Sequence, residues 1–461
     1  MNMDIAGELK SFLDSGNLGA ALKIVDDLDP SSVSEPSVAR LAGIVLRNGN
    51  QREKALAFAA RAGELKPDDP EALLQMAGEL VRLGQAKAGE ELLRQVQTVE
   101  AAQLSSGLIR SKARYQQRDF KGAEQAARDL LKIYPGSGAG KLELAHALLM
   151  QGQWLEGWDA YEGRYQMPAT RDVIPELGVP AWDGRLCNGP LILIADQGYG
   201  DCFMFARYIP LAAKRCKKVT LMRSKELGPI LDSVAGVGHG IGRWEELKHA
   251  STWCTLSGLP RLFTTEPDSI PSCRGLLTVP EPTAERWQTR LGQQGKTGAL
   301  KVGLAWSGRV NFDQNSLRAI PFQELSPLLD RQQAQFFSLQ VGYPNDSIND
   351  ERLIDLSSEL TDFAETAAAM QALDLVITTD TSVAHLAGTL GVPTWVLTSY
   401  APDWRWGAEG SRNLWYPDSL RLLRQQEPNN WAPVVEEAAS LLDQALADPE
   451  PAARAKALSQ A

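Results

Sequence analysis

The polar side chains able to do chemistry stand where apolar runs give way to short turns. Asp201 follows Gln197-Gly198-Tyr199-Gly200, whose glycines let a substrate approach the backbone closely. A carboxylate there is placed to act as a general base, taking a proton from an attacking hydroxyl. It is equally placed to complement a helix dipole, and the residues alone leave both readings open. In the second half of the chain, Asp380-Thr381-Ser382 opens a helix, whose free N–H groups favour an anion. Arg318 stands just before Ile320-Pro321-Phe322, read as a helix start where a cation meets a phosphate. His385 lies one turn inside the Asp380 helix, as a ligand contact or as a satisfied histidine of a capped helix. Ser307-Gly308 in one turn and Gln340 at a strand end add polar contacts for the same ligand.

The elements that position these residues read as strand, turn and helix. Leu191–Ala195 is a buried strand before the first turn, with a helix expected over 202–214 and a second strand at 219–222. The pattern restarts about 110 residues later with Val302–Trp306. It continues with a strand over 336–339, a helix from near Asp362, a strand over 375–379, a helix to Leu390 ended by Gly391, and a strand over 394–397. A helix over 284–291 followed by Gly292, Gly295 and Gly298 reads as a hinge. Asp374 reads as a solvated turn acid.

A dinucleotide fingerprint needs glycine at 203, which is Phe203, and no P-loop occurs. His146, His239, His249 and His385 form no metal-ligand pair, and Asp27-Leu28-Asp29 lies at the end of an N-terminal repeat helix. No metal and no cofactor are expected, so a phosphate here is neutralised by helix starts and cations. The tryptophan-rich loops around 403–406 and 415–417 suit stacking on a sugar or base, or a plain core.

The first third is periodic. Ala21, Ala55, Gly89, Ala123 and Gly157 are spaced 34 residues apart, each preceded by a turn signal. Pro67, Ala101 and Pro135 occupy a second equivalent position. This period resembles the tetratricopeptide repeat, helix pairs that stack into a solenoid with a concave, peptide-holding face. Trp154, Trp158, Tyr161 and Tyr165 mark a last unit packed on the next domain.

Composition sets the class. The 461 residues suffice for about three domains of roughly 150 residues. A net charge of −10 argues against nucleic-acid or anionic-membrane partners. The five cysteines form no CxxC pair and read as reduced thiols; no apolar run is long enough to span a membrane. MNMDIAGELK has no signal-peptide character, so a cytoplasmic location is expected.

From Leu191 to Leu442 the motifs resemble the two-Rossmann-domain (GT-B) glycosyltransferases, above all bacterial heptosyltransferase-like enzymes. The carriers are G-x-G-D at 198–201, V-G-L-A-W-S-G at 302–308, L-R-A-I-P at 317–321 and D-T-S-V-A-H-L-A-G at 380–388. The repeats in front are similar to the architecture of O-linked N-acetylglucosamine transferases. Those enzymes carry a functional histidine in the early loop, absent from 196–201, and heptosyltransferases usually have glycine where this chain has Ser382. The resemblance implies an α-solenoid over 1–166, a connector over 167–189, an acceptor domain over 190–297, a donor domain over 298–448 and a flexible tail over 449–461. It implies Asp201 as base, with Gln197, Gly198 and Gly200 in the acceptor loop. It further implies donor contacts from Ser307, Gly308, Arg318, Gln340, Asp380, Thr381, Ser382 and His385. The expected activity is metal-independent, inverting transfer from a nucleotide sugar to a protein held by the repeats. The alternatives are a non-catalytic scaffold, or transfer to a saccharide or lipid-linked acceptor.

Overall fold

The computed structural model describes residues 4–96, 103–294, 298–309, 315–342, 350–447 and Leu458. It falls into two compact units, Met1–Gln151 with Val310–Leu317, and Gly152–Arg309 with Arg318–Ala461.

The first unit is built of helix pairs. They are α1 Ile5–Asp14 with α2 Leu18–Asp26, α3 Pro36–Asn48 with α4 Arg52–Leu65, α5 Pro70–Arg82 with α6 Ala86–Gln95, and α7 Gln103–Gln116 with α8 Phe120–Ile133. Helix α9, Gly138–Met150, follows them. Each turn inside a pair reverses on a left-handed residue: Gly16 (φ 71°), Asn50 (59°), Gly84 (79°) and Arg118 (62°). The small residues of the 34-residue period lie where paired helices touch. Ala21, Ala55 and Ala123 are fully buried. A methyl group on Gly89 would stand 2.9 Å from the Ala77 carbonyl oxygen, so the spacing records close helix contacts. Ala101 lies outside the described residues. The repeat helix Trp154–Tyr161 belongs to the second unit, so the compact helical unit stops at Gln151 instead of 166.

The second unit carries two parallel sheets. In the first, β1 (Cys187–Ile194), β2 (Cys216–Met222), β3 (Val237–Ile241) and β4 (Thr252–Thr255) lie in the order β3-β2-β1-β4. The second holds β5 (Leu300–Ala305), β6 (Ala334–Ser338), β7 (Leu353–Asp355), β8 (Leu375–Thr379), β9 (Thr394–Thr398) and β10 (Leu420–Arg424). Their order is β10-β9-β8-β5-β6-β7. The chain runs outward from β5 to β7, returns to β8 and runs outward the other way, which is the doubly wound Rossmann arrangement. Central strands β8 and β9 are buried along their whole length, as helices on both faces require. The fold is therefore a helical-repeat unit with two Rossmann-like α/β domains. Among the described residues no helix is long and apolar enough to cross a membrane.

Several sequence boundaries shift. Strand β1 starts at Cys187, inside the stretch read as connector, and Ala181 makes an isolated bridge to Trp253 on the β4 edge. The helix expected over 202–214 begins at Tyr199 and breaks into Tyr199–Phe205, a 3-10 turn Ala206–Tyr208 and Ile209–Ala213. Pro210, lacking an N–H, stops it from being continuous. Arg318 ends a short helix, Asn315–Arg318, and the segment after Pro321 is a 3-10 turn, Phe322–Leu325. Gly292 lies inside the Glu281–Gln293 helix, so it is no hinge; Gly295 is outside the described residues. Asp374 is exposed, yet its carboxylate accepts the Lys301 N–H at 2.8 Å and fixes the start of β5. Leu458, expected in a flexible tail, is buried, and its carbonyl accepts the Trp395 indole N–H at 3.2 Å.

Candidate active site

In doubly wound sheets a ligand binds where the strand order reverses, beyond the carboxyl ends of the two central strands. In the second sheet these are β5 and β8. After β8 the chain delivers Asp380, then Thr381, whose hydroxyl caps the Ser382–Leu390 helix by accepting the Val383 N–H at 3.3 Å. Gly391 closes that helix at φ 76°. After β5, the Trp306 and Ser307 N–H groups both donate to the Gln340 side-chain oxygen, at 3.0 and 2.9 Å. Gln340 therefore shapes the Ser307-Gly308 turn from the end of β6. Arg318 Nη1 stands 3.7 Å from Asp380 Oδ2, and both side chains keep some exposure. Burial pushes the Asp380 carboxyl above its usual range, Arg318 pulls it down and Asp403 pushes it up. The crevice thus offers a capped helix start, a cation and a shaped turn.

The first sheet reverses between β1 and β4, and its two acids divide their roles. Asp196 is buried; its carboxylate accepts the Ser257 N–H at 3.2 Å and the Ser257 hydroxyl at 2.5 Å, with Arg164 Nε at 3.5 Å. It ties the end of β1 to the loop after β4, and these partners occupy its carboxylate. Gln197 donates to Thr170 Oγ1 at 3.0 Å and so fixes the turn. Asp201, in the first turn of the Tyr199–Phe205 helix, meets Arg405 from the other Rossmann-like domain. Arg405 Nε and Nη2 lie 2.9 and 2.6 Å from Asp201 Oδ1. Burial pushes the Asp201 carboxyl above its usual range, against the pull of Arg405. Burial pulls the Arg405 guanidinium down, but Asp201 and Asp403 hold it well above its ordinary value. Tyr161, buried beside the pair, is pushed up to about 12.

His385 is enclosed. Its Nδ1 and the Tyr416 hydroxyl share a hydrogen bond of 3.1 Å, and Trp406 packs on the ring at 4.9 Å between centroids. The opposite ring edge abuts Gly200, where an added Cβ would stand 2.6 Å from His385 Cδ2. Gly200 therefore admits the imidazole of the facing domain. An alanine there has no room, because Trp406 and Tyr416 back the ring. Gly200→Ala is expected to cost about 1–3 kcal/mol in urea unfolding.

Burial, helped by Arg405, lowers the His385 pKa to about 3. A group held below its unfolded value near 6.5 contributes stability above that pH and loses it as the pH falls toward 3. The wild type should lose about 1.4 kcal/mol per pH unit below 6.5 through this group. His385→Gln should show a flatter fall in urea midpoint between pH 7 and 4. The raised carboxylates Asp201 and Asp380 act in the opposite sense but are common to both proteins, so the difference isolates the imidazole.

The tryptophans settle as core. Trp154 stacks on Trp415 at 5.4 Å, Trp158 meets Trp404 edge-on at 5.4 Å, and all four are buried. Arg405, Asp403 and Ser257 are the site residues that sequence reasoning missed. The first two lay in view within Asp403-Trp404-Arg405-Trp406, where only the aromatic content drew notice.

No family model matches the chain. The curated Protein FlbA of Caulobacter vibrioides is 28% identical over 334 residues, covering 65% of this chain. The chain spans about half (54%) of that relative's length. Among solved structures, a mutant Thermobaculum terrenum O-GlcNAc transferase aligns over 99% of this chain and 93% of its own, at 13% identity and a TM-score of 0.41. An E. coli ADP-heptose lipopolysaccharide heptosyltransferase II aligns over 55% of this chain and 99% of its own, at 15% identity and a TM-score of 0.39.

Proposed function

We propose that the chain is a metal-independent, inverting glycosyltransferase that moves a sugar from a nucleotide-activated donor to a protein. One observation carries the reading: the helix that holds Asp201 packs on the Ser382–Leu390 helix of the other Rossmann-like domain, whose start follows Asp380 and its partner Arg318 at the switch point. The Ser382–Leu390 helix start and Arg318 take the diphosphate. Thr381 and the Ser307-Gly308 turn set by Gln340 frame it. Asp201 accepts the proton of an acceptor hydroxyl as that oxygen bonds to the anomeric carbon. The bond from that carbon to the phosphate oxygen breaks, and the nucleoside diphosphate leaves with the electron pair. Attack opposite the leaving group inverts the anomeric centre. His385 keeps the two domains in register more than it touches the donor.

A groove of about 490 Å³ in the helical unit supports a protein acceptor. Ile44, Leu74 and Ile109 line it with Arg40, Arg47, Arg82 and Lys112, against Glu71. Such a mixture of apolar and cationic surface suits an extended segment carrying acidic side chains.

The test uses full-length protein, radiolabelled nucleotide sugars and extract from cells lacking the enzyme. Label is expected in the protein fraction, undiminished by EDTA. Arg40→Glu with Lys112→Glu should lower that incorporation several-fold while leaving nucleotide-sugar hydrolysis unchanged. Label confined to lipid or free saccharide would refute the protein acceptor, and loss in EDTA with recovery on adding a divalent ion would refute the metal-free mechanism.

A further inference from the structure

Resting on the reading of Asp201 as base, we infer that Arg405 is its positioning residue, supplied by the opposite Rossmann-like domain, so that the base is complete only when the two domains abut.

The geometry is asymmetric. Both contacts from Arg405 fall on Asp201 Oδ1, Nε at 2.9 Å and Nη2 at 2.6 Å. Among the described hydrogen bonds none ends on Oδ2. That oxygen faces the glycine turn, where a Cβ built on Gly198 would lie 3.5 Å away. A carboxylate gripped twice on one oxygen presents the other in a fixed direction, as a base oriented by a further group does. The oxygen that Arg405 does not hold is the one on the side of the glycine turn.

Arg405 is itself held from several sides. Its Nη1 lies 2.7 Å from Asp403 Oδ1, and its guanidinium carbon lies 4.3 Å over the Trp404 ring. Its backbone N–H donates to Asp403 Oδ1 at 3.0 Å, and its carbonyl accepts from Asn413 Nδ2 at 2.8 Å. So rigid a cation can orient a partner.

Contact between the two domains is built in at the same place. Gly200, one residue before Asp201, is the position at which the His385 ring touches the first domain. The ion pair therefore forms where the domains already meet, and domains drawn apart would separate it.

Charge gives Arg405 a second effect. The titratable and charged groups facing Asp201 are Arg405, Asp403, Asp196, Tyr161 and Cys202. Arg405 is the cation of that set. Burial and the two acids push the carboxyl up, and Arg405 opposes them. Removing the cation leaves Asp201 protonated to a higher pH, and a protonated carboxyl takes no proton from a hydroxyl.

The experiment measures kcat/KM against pH for nucleoside diphosphate release from a panel of nucleotide sugars. It compares wild type, Arg405→Met, Arg405→Lys, Asp201→Asn and Arg405→Met/Asp201→Asn. Arg405→Met should lose at least about tenfold at pH 7, part of the 10²–10⁴ a base supplies. It should regain most of the loss by pH 9, because its acidic limb moves upward. Arg405→Lys should keep the wild-type limb but reach a lower plateau, since one ammonium restores the charge and not the two-point grip. That variant carries the test if Arg405→Met unfolds. Asp201→Asn should be low at every pH, and adding Arg405→Met should lower it little further. An equal loss at all pH values in Arg405→Met, a Lys variant identical to wild type, or fully additive losses in the double variant overturn the inference. Those results leave the proposed transferase standing if nucleotide sugars still raise the melting temperature. A wild type that neither binds nor cleaves any nucleotide sugar overturns both.

Discussion

Asp201→Asn is expected to lower turnover by about 10²–10⁴-fold and to leave donor affinity unchanged. An acceptor hydroxyl is a poor nucleophile at neutral pH, and Asp201 is held by Arg405 on Oδ1, with none of the described hydrogen bonds ending on Oδ2. Asp196 is occupied by Ser257 and Arg164. His385 is packed between Gly200 and Trp406, with its Nδ1 hydrogen-bonded to the Tyr416 hydroxyl. Asparagine preserves shape but removes the basic lone pairs and the partner charge of Arg405. The ion pair is largely sheltered, so the substitution also costs stability, up to about 3 kcal/mol. Turnover is therefore to be compared well below the melting transition of the variant. A kcat within about threefold of wild type would remove Asp201 as the base.

Arg318→Ala is expected to weaken donor binding by about 1.5–3 kcal/mol, the range of a hydrogen bond to a charged group. In a titration with the preferred nucleoside diphosphate this reads as roughly a 10–150-fold rise in Kd. Two causes add. The phosphate would lose a cation, and Asp380 would lose the partner 3.7 Å away and keep the weaker pull of Arg405. The second cause makes the loss depend on pH. Asp380 is already raised by burial, and without Arg318 it moves higher. The variant should therefore recover affinity as the pH falls and the carboxyl takes a proton, more steeply than wild type. An unchanged Kd would place the diphosphate elsewhere than between Arg318 and the Thr381 helix start.

What the sequence could show follows from how local each cause is. The 34-residue period is local: a left-handed turn residue and a small residue in each pair, with Asn50 and Arg118 taking the turn at φ 59° and 62° where the others have glycine. The strands β5, β8 and β9 are short apolar runs, and the Thr381 cap and Gly391 stop are short-range signals. These made the α/β halves and the donor-side motifs legible. The pairing of Asp201 with Arg405 was not, because the two lie 204 residues apart and Arg405 sits in a 3-10 turn with no periodic pattern. The same holds for Asp196 and Ser257, 61 residues apart. The tryptophan loops could not be assigned from composition, because stacking on a ligand and stacking on one another require the same side chains. Trp154 lying on Trp415 decides it. The boundary at Gln151 was hidden because the Trp154–Tyr161 helix keeps the repeat spacing, with Gly157 in register, while belonging to the α/β unit.

The central claim is that the crevice between β5 and β8 receives a nucleotide-activated sugar. The most direct measurement is the melting temperature of the full-length protein against a panel of nucleoside diphosphates and nucleotide sugars, each with and without EDTA. One base should be preferred, and its diphosphate should stabilise the protein equally with and without chelator. At 100 times the dissociation constant the gain is about 2.7 kcal/mol. Arg318→Ala should blunt that gain, and Arg405→Met should leave it intact. A protein that melts at one temperature throughout the panel would contradict the account.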